Sequence, residues 1–403
     1  MIEKTSLCTA CGACVQKCPR QCITLCNDEN GFLYPKIQLE KCVNCGLCER
    51  ICPIGDCSQS ISSKPDAYAC TNKDNSMLLQ ETSGGVFGVI ATYVLDMGGI
   101  VYGCAYVGHL QARHVRVDNK NLLPSLFGSK YVQSNTCNTF KECEKDLKNG
   151  KYVLYSGTPC QIAGLKKYLQ KEYFNLLTID IICHGVASQS YFDKFIAFLE
   201  ERNQAVCIDY NFRSKENSGW SCAGIARFKR KNGETFNKKQ FYFSNYYYYY
   251  YLSCAIYRES CYTCQYTNLN RVGDFTLGDF WGAEGLNLPF SVNNGCSLVL
   301  VNNEKAANLL ETLDLNQKQV PICLASKYNK QLSEPSISLS NRAELLREYR
   351  EESASVIQKK FKARNRKNRL KARIKYCVPM WMRNMLLQIK YHRSGKEKCS
   401  DGL

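Results

Sequence analysis

Two cysteine runs stand near the start of the chain, CTACGACVQKCP at 8–19 and CVNCGLCERICP at 42–53. Both read CxxCxxCxxxCP, a spacing that holds cubane iron–sulfur clusters. Three thiolates on one tight loop reach three irons of a cube, and the last cysteine of each run serves the other cluster. This assigns Cys8, Cys11, Cys14 and Cys52 to one cluster and Cys42, Cys45, Cys48 and Cys18 to the other. Gly12 and Gly46 let each loop wrap close to the metal, and Pro19 and Pro53 turn the chain away from it. Zinc knuckles use paired CxxC halves that close four ligands, which two complete four-cysteine runs do not resemble. Cys22, Cys26 and Cys57 fall outside the pattern and read as small buried residues.

The elements that must position these thiols come next. Between the runs, ITLCNDENGFLYPKI carries an Asn30-Gly31 pair that predicts a hairpin, and this part of the chain resembles a dicluster ferredoxin. Further on, ETSGGVFGVIATYVLDMGGIVYGCAYV predicts a helix capped by Thr82 or Ser83 and running to about Asp96, ended by Gly98-Gly99 and followed by a strand. The Gly84-Gly85 pair at that helix start suits either an anion such as a phosphate or a plain structural cap. KYVLYS at 151–156, a helix over 161–170 and LLTIDIICHG ending at Cys183 form a βαβ pattern, with about nineteen residues between the strands. Cys160 and Cys183 then lie at the carboxyl ends of two parallel strands, the edge where open α/β sheets place ligands. Cys160 also opens a helix, which favours its thiolate. RESCYTC at 258–264 adds Cys261 and Cys264; a lone CxxC fits zinc, a redox disulfide or a cluster alike, but the four thiols together make the number a further cubane needs.

The chain has 403 residues, 45% of them hydrophobic, enough for two or three domains with real cores. Its 26 cysteines, ten of them between Cys8 and Cys52, together with a start lacking an apolar leader, disfavour a secreted disulfide scaffold and favour a metal-loaded cytoplasmic protein. The net charge of +17 is uneven: residues 341–403 hold 18 Lys and Arg against 6 Asp and Glu, leaving 35 against 30 in the rest. The tail predicts basic helices with apolar Ile357, Phe361, Leu370 and Ile374, then Trp381, Met385 and Ile389 beyond Pro379. Such a tail suits an anionic membrane surface at its inner face, a docking arm for a partner protein, or a frayed solvated helix; no nucleic-acid recognition module accompanies it. The apolar stretch from Phe87 to Gly108 is broken by Asp96 and Gly98-Gly99 and does not read as a membrane span. The six tyrosines from Tyr246 to Tyr251 read as core packing rather than an electron-hopping path.

SGGVFG at 83–88, GSKYVQS at 128–134, GTPCQIAGL at 157–165, DIICHGV at 180–186, SCYTC at 260–264 and GDFTLGDFWG at 273–282 together resemble the coenzyme F420 hydrogenase/dehydrogenase beta-subunit family. The resemblance spans about residues 1–300, and GFLYP between the cysteine runs fits members that carry their own dicluster domain. It implies an α+β or α/β multidomain chain: a dicluster ferredoxin domain at 1–62, a mixed α/β domain with FAD and iron–sulfur at 63–340, and a basic helical tail at 341–403. It also implies a third 4Fe-4S cluster on Cys160, Cys183, Cys261 and Cys264. Flavin contacts fall to Ser83, Gly84, Gly85, Ser129, Lys130 and Tyr131, with Gly157 and Thr158 of the GTPC turn. Lys130 would neutralise a phosphate or the reduced flavin. His184 would stabilise the flavin or protonate a substrate, unless it is a hydrogen-bonded structural histidine. Asp274, Asp279 and Trp281 would shape the site or form a turn with a packed indole. The expected activity is oxidoreduction, with hydride transfer at FAD coupled to one-electron transfer through 4Fe-4S clusters. The hydride partner is unspecified, with a place in surface polysaccharide synthesis suggested by relatives. The alternative is a non-catalytic subunit that relays electrons to a partner enzyme.

Overall fold

The computed structural model describes residues 6–54, 64–216, 219–378 and 382. Cys57, Pro379, Trp381, Met385 and Ile389 lie outside the described residues. Near the start, β1 (Ile23–Asn27) and β2 (Leu33–Ile37) form the expected antiparallel hairpin. Its turn is closed by the Asp28 carboxylate, which accepts from the Asn30 and Phe32 amides, with Gly31 at φ 76°. Each cysteine run enters a short helix, Ala13–Lys17 or Leu47–Arg50, through a left-handed glycine, Gly12 at φ 85° and Gly46 at φ 69°. Those are backbone angles at which a side chain is strained.

The body is built on an eight-stranded mixed sheet. In chain order its strands are β3 (Asp66–Asn72), β4 (Ile100–Val107), β5 (Gln111–Val117), β6 (Val153–Gly157) and β7 (Leu176–Ile181). After β8 (Val206–Asn211), β9 (Ala223–Lys229) and β10 (Thr235–Phe241), which form a separate three-stranded antiparallel sheet, come β11 (Phe275–Asp279), β12 (Ser297–Val301) and β13 (Leu315–Val320). The large sheet runs β13-β3-β12-β11-β7-β6-β4-β5, with β4, β6, β7 and β11 parallel at its centre and antiparallel strands on both flanks. The βαβ unit is present: helix Pro159–Leu169 connects parallel β6 and β7 and buries Ile162, Leu165 and Leu169. This fixes the polarity of the sheet, so Cys160 and Cys183 fall at the carboxyl ends of neighbouring strands.

Helix Val86–Asp96 and β4 fall where the sequence places them, and Gly98 at φ 69° ends the helix. Its cap differs. Gly85, not Thr82 or Ser83, is the N-cap, and it makes no side-chain cap bond; the Glu81 carboxylate folds back to accept from the Gly88 amide at 2.9 Å. The tyrosine run forms helix Tyr246–Leu252 with Tyr246, Tyr247, Tyr248, Tyr250 and Tyr251 buried in an aromatic core with Phe192, Phe195 and Phe212. Part of the basic tail belongs to that core. Helices Arg342–Glu351 and Ala354–Arg364 bury Leu345, Ile357 and Phe361, and Gln358 accepts from the Tyr246 amide. Leu370 and Ile374, on helix Arg366–Cys377, stay exposed. Among the described residues no helix is long and apolar enough to cross a membrane.

Candidate iron–sulfur and flavin site

The thiol of Cys52 stands with those of the first run. Cys8 and Cys11 are buried, and Cys14 and Cys52 half-buried. Burial pushes the Cys14 thiol up to about 12, with Cys8 and Cys52 adding to the rise, so Cys52 has come to the first run. Burial also raises Cys11, and the neighbours that push it further include Cys160. Gly164 explains that closeness: a Cβ there would stand 2.8 Å from both Cβ and Sγ of Cys11, so only a bare backbone lets the two segments meet.

The second set surrounds a cavity of about 220 Å³ lined by Cys18, Cys42, Cys45 and Cys48, with Gly46 in its wall. Cys22 lines it too, with Sγ 3.4 Å from that of Cys18. The sequence placed Cys22 outside the motif; it is buried, as expected, but in the wall of this cavity. Cys26, read as buried, is exposed, because it sits on the solvent face of β1. Cys323 is disulfide-bonded.

The third set comes from separate parts of the chain. Cys160 follows β6, Cys183 follows β7, and Cys261 and Cys264 come from the loop near Glu259–Cys261. Burial raises Cys183, and its thiol is pushed further by Cys261, Cys160 and Cys264. Cys261 is pushed up to about 12 and Cys264 to about 11, both chiefly by burial. Cys160 opens its helix as the sequence places it, yet burial raises its thiol. Burial outweighs the helix terminus and the Thr158 hydroxyl 3.1 Å away. These raised values belong to protonated thiols, and metal coordination removes the proton outright. Among the described residues no three His, Cys, Asp or Glu side chains close around a single-ion site. The thiols instead stand apart in three neighbouring groups, the second reaching the first through Cys48 and Cys14 and the first reaching the third through Cys11 and Cys160.

The residues expected at the flavin divide in two. Ser83, at φ 54°, donates to the Gly278 and Cys296 carbonyls, and the Gly84 amide donates to Ser297 Oγ at 2.9 Å. A Cβ on Gly84 would stand 2.2 Å from the Cys70 carbonyl oxygen, so this turn is pressed onto the sheet. Lys215 donates to the Ser83 carbonyl at 2.6 Å. Thr158 forms a capping box with Gln161, and Gly157 lies beside Gln161 and His114. Ser129 is half-buried in the adjoining loop, where the Lys130 ammonium donates to the carbonyls of Ser125, Phe127 and Gly128. All three of its donors are engaged, which makes Lys130 a clamp on its own loop.

A polar group missing from the sequence reading lies at the carboxyl end of β11. Arg213, its side chain 4% exposed, pairs with Asp279 at 2.8 Å and donates to the Tyr131 hydroxyl at 3.2 Å. Trp220 donates to Asp279 at 2.8 Å and stacks on Trp281 with centroids 5.1 Å apart. His184 keeps surface exposure, but desolvation of its ring lowers the imidazole below its usual range, with Asp279 and Arg213 within electrostatic reach, and its carbonyl accepts from Ser336 Oγ. Asp274 takes no part: it is buried in bonds to Thr178, Asn303 and Lys305. Arg213 and Trp220 are isolated in the sequence, and no local spacing singles them out.

The fold and the thiol sets define an iron–sulfur electron-transfer protein. Residues 150–320 match the family model for the C terminus of the coenzyme F420 hydrogenase/dehydrogenase beta subunit, and residues 7–55 match that for a 4Fe-4S dicluster domain. Over residues 150–320 the chain thus carries a region of the coenzyme F420 hydrogenase/dehydrogenase beta-subunit family, an oxidoreductase-related family, and ahead of it a dicluster module that accounts for two 4Fe-4S clusters. A ferredoxin from Pyrobaculum islandicum is 38% identical over 63 residues, which is 16% of this chain and 55% of that ferredoxin. The chain thus spans about half the length of that curated relative. A chain of the xenon-derivatised F420-reducing NiFe hydrogenase complex from Methanosarcina barkeri is 14% identical, with a TM-score of 0.37 over 74% of this chain and 92% of that one.

Proposed function

We propose that this chain is an iron–sulfur flavoprotein oxidoreductase with three 4Fe-4S clusters in line, held by Cys42, Cys45, Cys48 and Cys18, then Cys8, Cys11, Cys14 and Cys52, then Cys160, Cys183, Cys261 and Cys264. One observation carries the reading: four thiols from separate parts of the chain converge at the carboxyl edge of β6 and β7, with Cys160 next to Cys11. Gly164, which lets the two segments touch, supports electron passage between the last two groups. FAD bound at the same sheet edge would exchange two electrons as a hydride and release them singly.

Toward such a group this edge presents two cations, Lys215 behind the Ser83–Gly85 turn and Arg213 paired with Asp279. Asp279 holds that guanidinium in place, and the Trp220–Trp281 stack adds flat apolar surface beside it. His184 is exposed beside this pair and is the group able to carry a proton to or from a bound substrate. A relay role has its own support: Cys45 is exposed, so the second site opens to a partner protein able to supply or take electrons. A place in the cytoplasm, peripheral contact with a membrane through the tail, and a substrate in surface polysaccharide synthesis rest on the tail's charge and the family resemblance. Anaerobically purified protein should hold about twelve iron and one FAD. About eight iron and no flavin would refute the reading. Reoxidation of the dithionite-reduced protein by small hydride acceptors favours the enzyme, and turnover only with a partner protein favours the relay.

A further inference from the structure

Arg258 is the large side chain whose burial the fold does not explain. It is 1% exposed, and among the described residues it forms no ion pair with a carboxylate. Nε donates to the Cys8 carbonyl at 2.6 Å and Nη1 to Gln133 Oε1 at 3.3 Å, while Nη2 is buried without a partner. Gln133 in turn donates to the Thr9 carbonyl at 2.9 Å, so the guanidinium is tied into the first cysteine loop. Its flat face lies 4.1 Å from the Tyr34 ring centroid, and its backbone amide bonds the Val186 carbonyl at 2.9 Å. On its other side, its backbone carbonyl accepts from the Cys261 amide at 3.0 Å.

A cation buried without a counter-ion is strongly unfavourable, so such a group persists where negative charge offsets it. The Tyr34 face supplies only part of that. Two groups of four thiolates flank Arg258, and a cubane on four thiolates carries about −2 when oxidised and one charge more when reduced. We propose that Arg258 is a shared counter-cation between the first and third iron–sulfur sites, a positioning residue that raises the reduction potentials of both and leaves the outer site unaffected. The inference rests on the three-cluster reading above. The charge favours whichever state is more negative, so it assists electron arrival at either site. Its bond to the Cys8 carbonyl fixes it between them.

The test is an EPR-monitored redox titration of the anaerobic full chain, comparing wild type with Arg258→Gln and Arg258→Lys, with iron counted in each. Arg258→Gln should shift the reduction equilibrium of the first and third clusters about tenfold or more towards the oxidised state, about 59 mV for a one-electron couple. The outer cluster should not move, and Arg258→Lys should keep the wild-type potentials. Twelve iron with unmoved potentials in Arg258→Gln overturns the role of Arg258 and leaves the three clusters standing. Eight iron in the wild type overturns the third site and the sharing with it. If Arg258→Gln loses iron, Arg258→Lys decides: iron and potentials retained support the charge, and iron lost from both variants makes Arg258 a scaffold only.

Discussion

Asp180→Asn would remove one charge from the interior without changing side-chain volume, at a place where the structure lets its cost be worked out. Asp180 and Arg271 pair at 2.8 Å with side chains 0% and 2% exposed. The carboxylate also accepts from the Val272 and Gly273 amides at 3.1 and 2.8 Å, and Arg271 donates to the carbonyls of Tyr266 and Ile181. The pair therefore ties the end of β7, just before Cys183, to the segment that follows Cys264. An amide in place of the carboxylate turns an NH2 towards donors and leaves the guanidinium buried without an anion. Breaking a buried pair in this way costs about 3–5 kcal/mol, a large share of the roughly 5–15 kcal/mol that stabilises a domain. The urea midpoint of the anaerobic protein, followed by circular dichroism, should fall accordingly, and if the proposed third cluster sits on Cys183 about four iron should be lost as that thiol shifts from its partners. Asp314→Asn is the control. It breaks a pair with Lys73 whose side chains are 82% and 51% exposed, and should cost less than about 1 kcal/mol. An Asp180→Asn protein within about 1 kcal/mol of wild type and with full iron would refute the reasoning.

Two further outcomes are expected. Glu81 is 4% exposed, its Oε1 has no hydrogen-bond partner, and burial raises its carboxyl to about 8. The folded state then keeps a proton that the unfolded chain releases near 4.3, so the stability this group contributes is complete below that value and falls by about 1.4 kcal/mol per pH unit up to about 8. Thermal midpoints of wild type and Glu81→Gln should diverge between pH 6 and 8 in favour of the variant; a constant gap would show that Glu81 does not titrate there. Gly164→Ala forces a Cβ to within 2.8 Å of Cys11 and should cost about 1–3 kcal/mol and iron from the first site. Gly150→Ala, with nothing within 4 Å but φ at +76°, should cost about 1 kcal/mol and no iron.

The sequence by itself determined what depends on neighbours along the chain. The eight thiols of the two runs, the hairpin at Asn30-Gly31, helix Val86–Asp96 and the β6–helix–β7 unit were legible because loop wrapping, turn chemistry and hydrophobic periodicity act over a few residues. The convergence of Cys160, Cys183, Cys261 and Cys264 was half legible, since the crossover rule places the first two at one edge but says nothing of where a distant CxxC will fold. Only the tertiary structure decided the rest. Glu81 replaced the expected cap by reaching across a turn. Lys130 turned its ammonium to its own loop. Ile357 and Phe361 of the basic tail entered the aromatic core, which a solvated helix would not do. Arg213 met Asp279, and Arg258 was enclosed between Cys8 and Cys261, because burial and charge pairing are set by packing between segments far apart in the chain. No spacing in one dimension records which cation will lie between two groups of thiols.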